Sequence, residues 1–307
     1  MERPFFFPWI NLHKDTAAMH TRLLSLALAA LLPLAAHAAE PSRAVVLLQT
    51  YDNQPNDDPL EYIPVWLGKG VAEESTLPKA LLSQPLQVFN AGVSTGNVRL
   101  AALTVDDNSM CGGTAKLRIK GNPTLSNSPL LSTVDINPGK RFAGRAATTS
   151  EQTELFAQVS NTAQLRQSVK PGALTQALAA FNADHAQDLA ALQIITGAQQ
   201  PQRRVAVLTS NHPIKTGNAE NPTGVLVVLA IFEHDGGRWQ FRKGHAASGC
   251  DDCEDLPLRT HLLQFGDIDG NGTLDFVLSE SGYESYGFSL LLGEGATWRS
   301  QALPGGC

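Results

Sequence analysis

Short apolar segments separated by Gly, Pro, Asn and Ser dominate the chain from residue 43 to residue 120. Each segment has the length of one β-strand and is bounded by residues that favour turns. The predicted strands cover residues 44–48, 85–89, 98–105 and 115–119. Residues 122–145 are rich in Ser, Pro, Asn and Gly with little periodicity, which predicts a loop or linker. We therefore predict an N-terminal β-rich domain over residues 39–147.

A helical period replaces this pattern after residue 147. Thr148 and Glu151 have the spacing of a capping box, which predicts a helix running to about residue 168. A second set of residues recurs every three or four positions and shares one helical face. This set consists of Leu174, Leu178, Phe181, His185, Leu189 and Leu192, with Gly197 placed as the C-terminal cap. Residues 148–199 are thus predicted to form a helical segment.

Strand patterns return in the C-terminal third of the chain. The segments at residues 223–233 and 238–243 flank Asp235-Gly236-Gly237, a sequence typical of a β-hairpin turn. The other predicted strands cover residues 204–209, 260–265, 274–279, 288–292 and 297–301. We predict a C-terminal β domain over residues 200–307 that ends in a small antiparallel sheet. The fold class is α+β and β-dominated.

Residues 1–38 have the features of a leader with a secretory signal peptide. Arg22 precedes an apolar run over residues 23–36, and Ala36-His37-Ala38 is a small-residue cleavage pattern. The run is shorter than the ~20 residues that a membrane-spanning helix needs, so we predict no transmembrane anchor. Cleavage near Ala38 would leave a periplasmic or secreted protein. The start of translation, at Met1 or Met19, stays open.

The charge of the mature chain disfavours nucleic acid as a partner. Without the leader, 20 basic residues face 27 acidic ones, and such an acidic chain is unsuited to phosphate backbones. An unknown protein or glycan of the cell envelope is the predicted partner.

Four cysteines occur in the mature chain, Cys111, Cys250, Cys253 and Cys307. Disulfides are expected in an oxidising compartment, and we favour Cys250 with Cys253 and Cys111 with Cys307, although all three pairings stay open. A redox motif is disfavoured because the acidic neighbours of Cys250 and Cys253 raise a thiol pKa. Zinc bound with His245 and His261 is a further alternative.

One acidic loop carries the clearest chemistry of the chain. Four side chains, Asp267, Asp269, Asn271 and Asp275, offer oxygens at positions 1, 3, 5 and 9 of the stretch 267–275. Gly272 permits the sharp turn, and Thr273 would add its backbone carbonyl. Calcium prefers such oxygen ligands. We predict a structural calcium ion here, against the alternative of a solvated turn between strands.

The flanks of the loop distinguish it from an EF-hand. Leu278 stands where an EF-hand has a bidentate glutamate, and residues 276–278 have a strand pattern. The loop followed by a strand resembles the calcium loops of the FG-GAP and VCBS repeat families, with Asp267, Asp269, Asn271, Gly272 and Asp275 at the matching positions. Asn271 replaces the third aspartate of those families. The resemblance implies a structural cation on a β-hairpin, and the single copy does not imply a propeller.

Catalytic motifs give weaker indications. Gly92-Val-Ser94-Thr-Gly96 has the spacing of a nucleophile elbow, but a strand pattern follows it, so we predict a hairpin turn. Tyr283 and Tyr286 are predicted to pack in a turn, with sugar or protein contact as the alternative. We predict a non-catalytic binding or interaction protein. The alternative is a hydrolase whose pocket would gather His212, His234 or His245 with carboxylates.

Overall fold

Six antiparallel strands close into a β-barrel in the N-terminal half of the chain. The computed structural model describes residues 42–50, 59–106, 114–121, 125, 128–167, 169, 172, 174, 190–197, 200–215, 223–250, 254 and 256–306. The strands of this half are β1 (Ala44–Gln49), β2 (Leu60–Leu67), β3 (Gly70–Val71), β4 (Pro85–Asn90), β5 (Val93–Asp106), β6 (Thr114–Ile119) and β7 (Leu130–Ser132). Their order is β1-β7-β4-β5-β6-β2-β3, and β1 also pairs with β2, which closes the barrel.

The continuous apolar run of β1 follows from burial on both of its faces. Val46 and Leu48 belong to one core cluster with residues of the other barrel strands. Val45 and Leu47 belong to a second cluster, which joins the barrel to another sheet. A strand that alternates between two apolar surroundings has no polar face.

A five-stranded antiparallel sheet follows the barrel, with helices on one face. Its strands are β8 (Phe142–Ala146), β9 (Ala190–Gly197), β10 (Gln200–Lys215), β11 (Thr223–Asp235) and β12 (Trp239–Cys250), in the order β12-β11-β10-β9-β8. The helices are α1 (Thr149–Asn161) and α2 (Ala163–Arg166). Leu155 and Val159 of α1 pack on Leu208 and Leu226 of the sheet. Of the helices in the described ranges, none is long and apolar enough to cross a bilayer.

A four-stranded sheet lies between the barrel and the five-stranded sheet. It consists of β13 (Arg259–Gly266), β14 (Asp275–Ser281), β15 (Tyr286–Glu294) and β16 (Thr297–Ala302), paired in chain order. Phe276 and Leu291 pack with the five-stranded sheet. Val277 and Leu290, their neighbours in sequence, pack with the barrel. Alternation along these strands therefore places this middle sheet between two apolar layers.

The β-dominated fold with a central helical segment is confirmed. The predicted strands are present, and the capping box at Thr148 and Glu151 starts α1. Residues 41–307 form one compact unit. Within it, β8 of the predicted N-terminal domain pairs with β9 of the predicted helical segment.

Two predictions about local structure are wrong. Residues 122–145 are not simply a loop, because β7 and most of β8 fall within them and Leu130 and Ile136 are fully buried. Leu192 and Gly197 lie in β9 rather than in a helix. The β-branched run Ile194-Ile195-Thr196 favours a strand there, and the three-residue spacing to Leu189 was coincidental. Leu178, Phe181, His185 and Leu189, like the leader, lie outside the described residues.

Candidate metal centre

The acidic loop joins β13 to β14, two neighbouring strands of the middle sheet. Its turn requires glycine at two positions, since Gly270 and Gly272 have φ angles of 85° and 86°. A Cβ atom on Gly270 would lie 2.7 Å from Nη2 of Arg43. Arg43 therefore packs closely against the loop backbone at Gly270.

Three carboxylates converge within this loop. One oxygen from each of Asp267, Asp269 and Asp275 lies within 4.8 Å of the others. Asp267 is 5% exposed and Asp275 is 0% exposed, while Asp269 is half-buried. A buried cluster of hard oxygen donors with this spacing can hold a metal ion.

Both carboxylate oxygens of Asp275 accept hydrogen bonds from backbone N–H groups. Oδ2 accepts the N–H groups of Ile268 at 2.7 Å and Asp269 at 3.3 Å. Oδ1 accepts the N–H of Gly293 at 3.0 Å. Burial nevertheless raises the pKa of Asp275 to about 8, with repulsion from Asp269 acting in the same direction. Without a cation, this carboxyl group is thus held in an environment that opposes its charge.

Asp269 and Asp267 differ in the groups that compensate their negative charges. Burial raises the pKa of Asp269, and the charge of Asp267 adds to that rise. Asp269 accepts the backbone N–H of Asn271 at 2.9 Å. Asp267 instead accepts the N–H of Gly272 at 3.1 Å and pairs with Arg141. Of the three carboxylates, Asp267 has an ion-pair partner, whereas Asp269 and Asp275 have none among the described residues.

Asn271 and Thr273, the two other predicted ligands, connect the loop to β15. The Asn271 amide donates to Asp269 Oδ2 at 2.9 Å and to the Gly293 carbonyl at 3.1 Å. Its Oδ1 accepts the backbone N–H of Thr273 at 2.7 Å. The Thr273 hydroxyl also lies within hydrogen-bonding distance of the Gly293 carbonyl. These residues support the turn in addition to offering oxygens.

Two arginines from other layers also reach the loop. Arg43, just before β1, donates from Nη1 to the carbonyl oxygens of Asp267 at 2.7 Å and Ile268 at 3.2 Å. Arg141, just before β8, places Nη1 3.2 Å from Asp267 Oδ2. Neither arginine was predicted from the sequence. No local pattern marks them, because they reach the loop only through the packing of the layers.

The segment that carries Arg141 is held by a buried asparagine, Asn137. The Asn137 amide donates to the carbonyls of Gly92 at 2.6 Å and Phe142 at 2.8 Å, and its Oδ1 accepts the Phe142 N–H at 2.7 Å. The Ile136 carbonyl accepts the N–H of Asp267 at 2.7 Å. The segment 136–142 therefore links the barrel, the acidic loop and the five-stranded sheet.

A cavity of about 340 Å³ adjoins the loop. Its walls come from Gly272 and Thr273 of the loop, from the five-stranded sheet, and from β15 and β16. Arg141, Arg203, Glu233 and Trp298 supply its functional side chains. His212, His234 and His245 are not among the described residues that line it.

The other candidate residues lie apart from this centre. Cys250, at the end of β12, is disulfide-bonded, and its pairing stays a prediction because Cys111, Cys253 and Cys307 lie outside the described residues. Ser94 lies in β5, just after the two-residue turn from β4. The predicted packing of the turn is only partial, because Tyr286 packs edge to face on Phe288 while Tyr283 is 46% exposed and Tyr286 is 38% exposed.

Comparison of the chain with known protein families, curated proteins and solved structures finds no match. The likeness of residues 267–275 to FG-GAP and VCBS loops therefore stays a proposal.

Proposed function

We propose that the acidic loop binds one calcium ion with a structural role. The observation that carries the proposal is the convergence of the Asp267, Asp269 and Asp275 oxygens within 4.8 Å of one another. Three carboxylates at this spacing repel one another in a buried site unless their charge is compensated. A divalent cation supplies that compensation and also uses the oxygen lone pairs that backbone N–H groups leave open.

Calcium suits the donor set better than the smaller magnesium ion. The loop offers carboxylates, the Asn271 amide oxygen and the Thr273 carbonyl on an irregular turn, and calcium accepts six to eight such oxygens in flexible geometry. The competing arrangement neutralises the loop internally through Arg43 and Arg141. It leaves Asp275 uncompensated when ionised, because Arg43 donates to backbone carbonyls and Arg141 pairs with Asp267.

We further propose that the exported mature protein is a non-catalytic binding protein of the periplasm or the cell exterior. The cavity supports this role, since its lining combines arginines and an aromatic ring with mainly apolar side chains. Tyr283 and Tyr286 offer exposed aromatic surface to a protein or glycan of the cell envelope.

Thermal unfolding with and without calcium tests the metal proposal. At an affinity of ~0.1 mM and ~1 mM calcium, binding to the folded state contributes about 1.4 kcal/mol, so the melting temperature of the mature protein should rise by a few degrees. Asp269→Ala should abolish the calcium response. Glu74→Ala, which removes an exposed carboxylate far along the chain from the loop, should keep it. Equal melting of the wild-type protein in calcium and in chelator would refute the site.

A further inference from the structure

The cavity beside the acidic loop offers positive charge to a ligand, because Glu233, its one acidic side chain among the described residues, is already engaged. Glu233, only 6% exposed, is already engaged by Arg242, whose Nε lies 3.1 Å from its Oε2. Trp298 Nε1 donates to the other oxygen, Oε1, at 3.2 Å. Arg203 is the third neighbour of Glu233, with its Nη2 3.8 Å from Glu233 Oε2 and its side chain 45% exposed. Arg242 and Trp298 thus satisfy both oxygens of Glu233 without a close contact from Arg203.

Arg203 and Arg141 therefore leave donor capacity at the cavity. Arg203 donates from Nη2 to the Gly295 carbonyl at 2.8 Å, which positions its guanidinium without neutralising it. Arg141 pairs with Asp267 through Nη1, and its buried Nε has no acceptor among the described residues. A guanidinium group binds carboxylates in a planar, often bidentate manner. The two arginines favour an anion over a cation or a neutral molecule.

The remaining wall of the cavity is apolar and rigid. Trp298 stacks on Phe276 with ring centroids 4.9 Å apart and an interplanar angle of 13°. Its indole N–H is fixed by Glu233, so the ring is held both at its face and at its edge. Phe142, Ile195 and Val205 complete this wall. Such a surface suits an aromatic or branched apolar group.

We propose that this cavity is a binding site for a small organic carboxylate with an aromatic or compact apolar body. Its carboxylate lies at Arg203 and Arg141, and its apolar body lies against Trp298. A volume of about 340 Å³ is at the lower end of ligand pockets, so the ligand is one small molecule rather than a polymer. This inference identifies a ligand class for the proposed binding function.

Calcium binding and carboxylate binding should be coupled through shared residues. Gly272 and Thr273 belong to the acidic loop and also line the cavity, and Arg141 contacts both. A cation at Asp267 would compete with Arg141 for that carboxylate, leaving the guanidinium more available to a ligand anion. We expect tighter carboxylate binding in calcium than in chelator.

Three probes of matched shape test the proposal on the mature protein. Titration calorimetry in calcium should detect 3-phenylpropionate, with binding at least tenfold weaker for its neutral amide and for 3-phenylpropylamine. Trp298 gives an independent readout, because its indole N–H resonance should shift on adding the carboxylate. Trp298→Phe, by losing one resonance, identifies it among the indole signals.

Substitutions of arginine test whether the ligand binds in this cavity. Arg203→Gln should weaken 3-phenylpropionate binding at least tenfold, whereas Arg118→Gln, which removes the same charge from an exposed position of β6, should leave it unchanged. If Arg203→Gln does not fold, the wild-type Trp298 shift and the probe series still decide the question.

Three results would overturn the proposal: no binding of 3-phenylpropionate to the wild-type protein, equal binding of all three probes, or full competition by inorganic phosphate. Equal carboxylate binding in calcium and in chelator would instead count against the metal site and leave the cavity proposal standing.

Discussion

At the scale of single residues, the acidic loop combines groups whose preferences conflict. Asp275 accepts three backbone N–H groups, which favour its ionised form, yet it is completely buried. Burial dominates and raises its pKa to about 8. A bound cation would reverse this balance, because a metal ion favours the carboxylate over the carboxylic acid. The protonation of Asp275 therefore reports directly on occupancy of the loop.

Asp275→Asn should remove a distinctive pH dependence of stability. An aspartate has a pKa of about 3.9 in an unfolded chain, so the folded, metal-free protein binds the extra proton between that pH and about 8. Its contribution to stability is complete below pH ~3.9 and is lost as the pH rises toward about 8. In chelator, denaturant unfolding from pH 5 to 8 should show the wild type losing up to about 1.4 kcal/mol per pH unit relative to Asp275→Asn.

Calcium supplies the control for that titration. With the ion bound, the carboxylate stays ionised across the same range, so the difference in slope between the two proteins should disappear. Comparing the two proteins also cancels the histidines, including His212 and His245, whose pKa values are lowered by burial. Parallel stability curves in chelator would contradict the raised pKa of Asp275.

Arg141→Gln should tighten calcium binding while destabilising the metal-free protein. Its guanidinium lies 3.2 Å from Asp267 Oδ2 and so competes with any cation for the same oxygen. Relief of a repulsion of about 1 kcal/mol corresponds to roughly fivefold higher affinity. Calcium titration calorimetry measures this change, with Arg118→Gln as a matched loss of charge. Weaker calcium binding by Arg141→Gln would show that the arginine supports the ion site instead.

At the scale of secondary-structure elements, the N-terminus of α1 connects the helical layer to the five-stranded sheet. Glu151 accepts both Arg145 guanidinium nitrogens at 2.7 Å and Arg204 Nη1 at 2.8 Å. It also accepts the N–H of Thr148 at 2.9 Å, which completes the capping box. One carboxylate thereby joins α1 to β8 and β10. The hydrogen bond from Arg145 is the main cause that lowers its pKa to about 2.

Glu151→Gln should destabilise the protein mainly above pH ~4.5. The depressed pKa means that Glu151 stabilises the fold at neutral pH and that this contribution is lost as the pH falls from ~4.5 toward 2. Because Arg145 is partly exposed, we expect a loss of about 1–3 kcal/mol at pH 7. Denaturant unfolding at pH 7 and pH 3 measures it. Glu154→Gln, on the exposed side of the same helix, should cost less than about 0.5 kcal/mol at either pH.

The sequence correctly predicted those elements that are determined by interactions between residues close together in the chain. The capping box of Thr148 and Glu151 and the turn at Asp235-Gly236-Gly237 act over a few residues, so their positions were correctly predicted. β7 and β9 were missed because partners distant in sequence determine them: β7 pairs with β1 and β4, and β9 with β8 and β10. A three-residue strand has too little periodicity to stand out.

The candidate site was predictable in the same partial way. The spacing of Asp267, Asp269 and Asp275 lies within one turn of chain, so the sequence already indicated that these side chains converge. Arg43 and Arg141 join them from two other layers. The cavity likewise combines Arg203, Glu233 and Trp298 from three strands. Such contacts depend on how the sheets stack, which short-range patterns do not encode.

At the scale of the whole molecule, the last sheet of the chain forms the middle layer. Both of its faces are apolar, so neither the barrel nor the five-stranded sheet can be fully covered until residues 259–302 are in place. The acidic loop lies at one end of this middle sheet and contacts the start of β1 and the segment before β8. Stabilising the loop should therefore stabilise all three sheets together.

Leu290→Ala and Leu291→Ala test this coupling between the layers. The two leucines are adjacent in β15 and fully buried or nearly so. Leu290 packs toward the barrel and Leu291 toward the five-stranded sheet. Each truncation should cost about 2–5 kcal/mol through lost apolar contact and a new cavity. Because the middle sheet belongs to both interfaces, each variant should lower one shared unfolding transition.

Tryptophan fluorescence distinguishes cooperative unfolding of the layers from independent unfolding. Trp66 reports on the barrel and Trp239 on the five-stranded sheet. Each is measured in a mature protein whose other two tryptophans, Trp298 included, are replaced by Phe. In a cooperative molecule, both probes give one midpoint, and Leu290→Ala and Leu291→Ala shift it for both probes alike. If Leu290→Ala lowers only the Trp66 transition and Leu291→Ala only the Trp239 transition, the layers unfold separately. Calcium would then stabilise its own sheet and leave the five-stranded sheet unaffected.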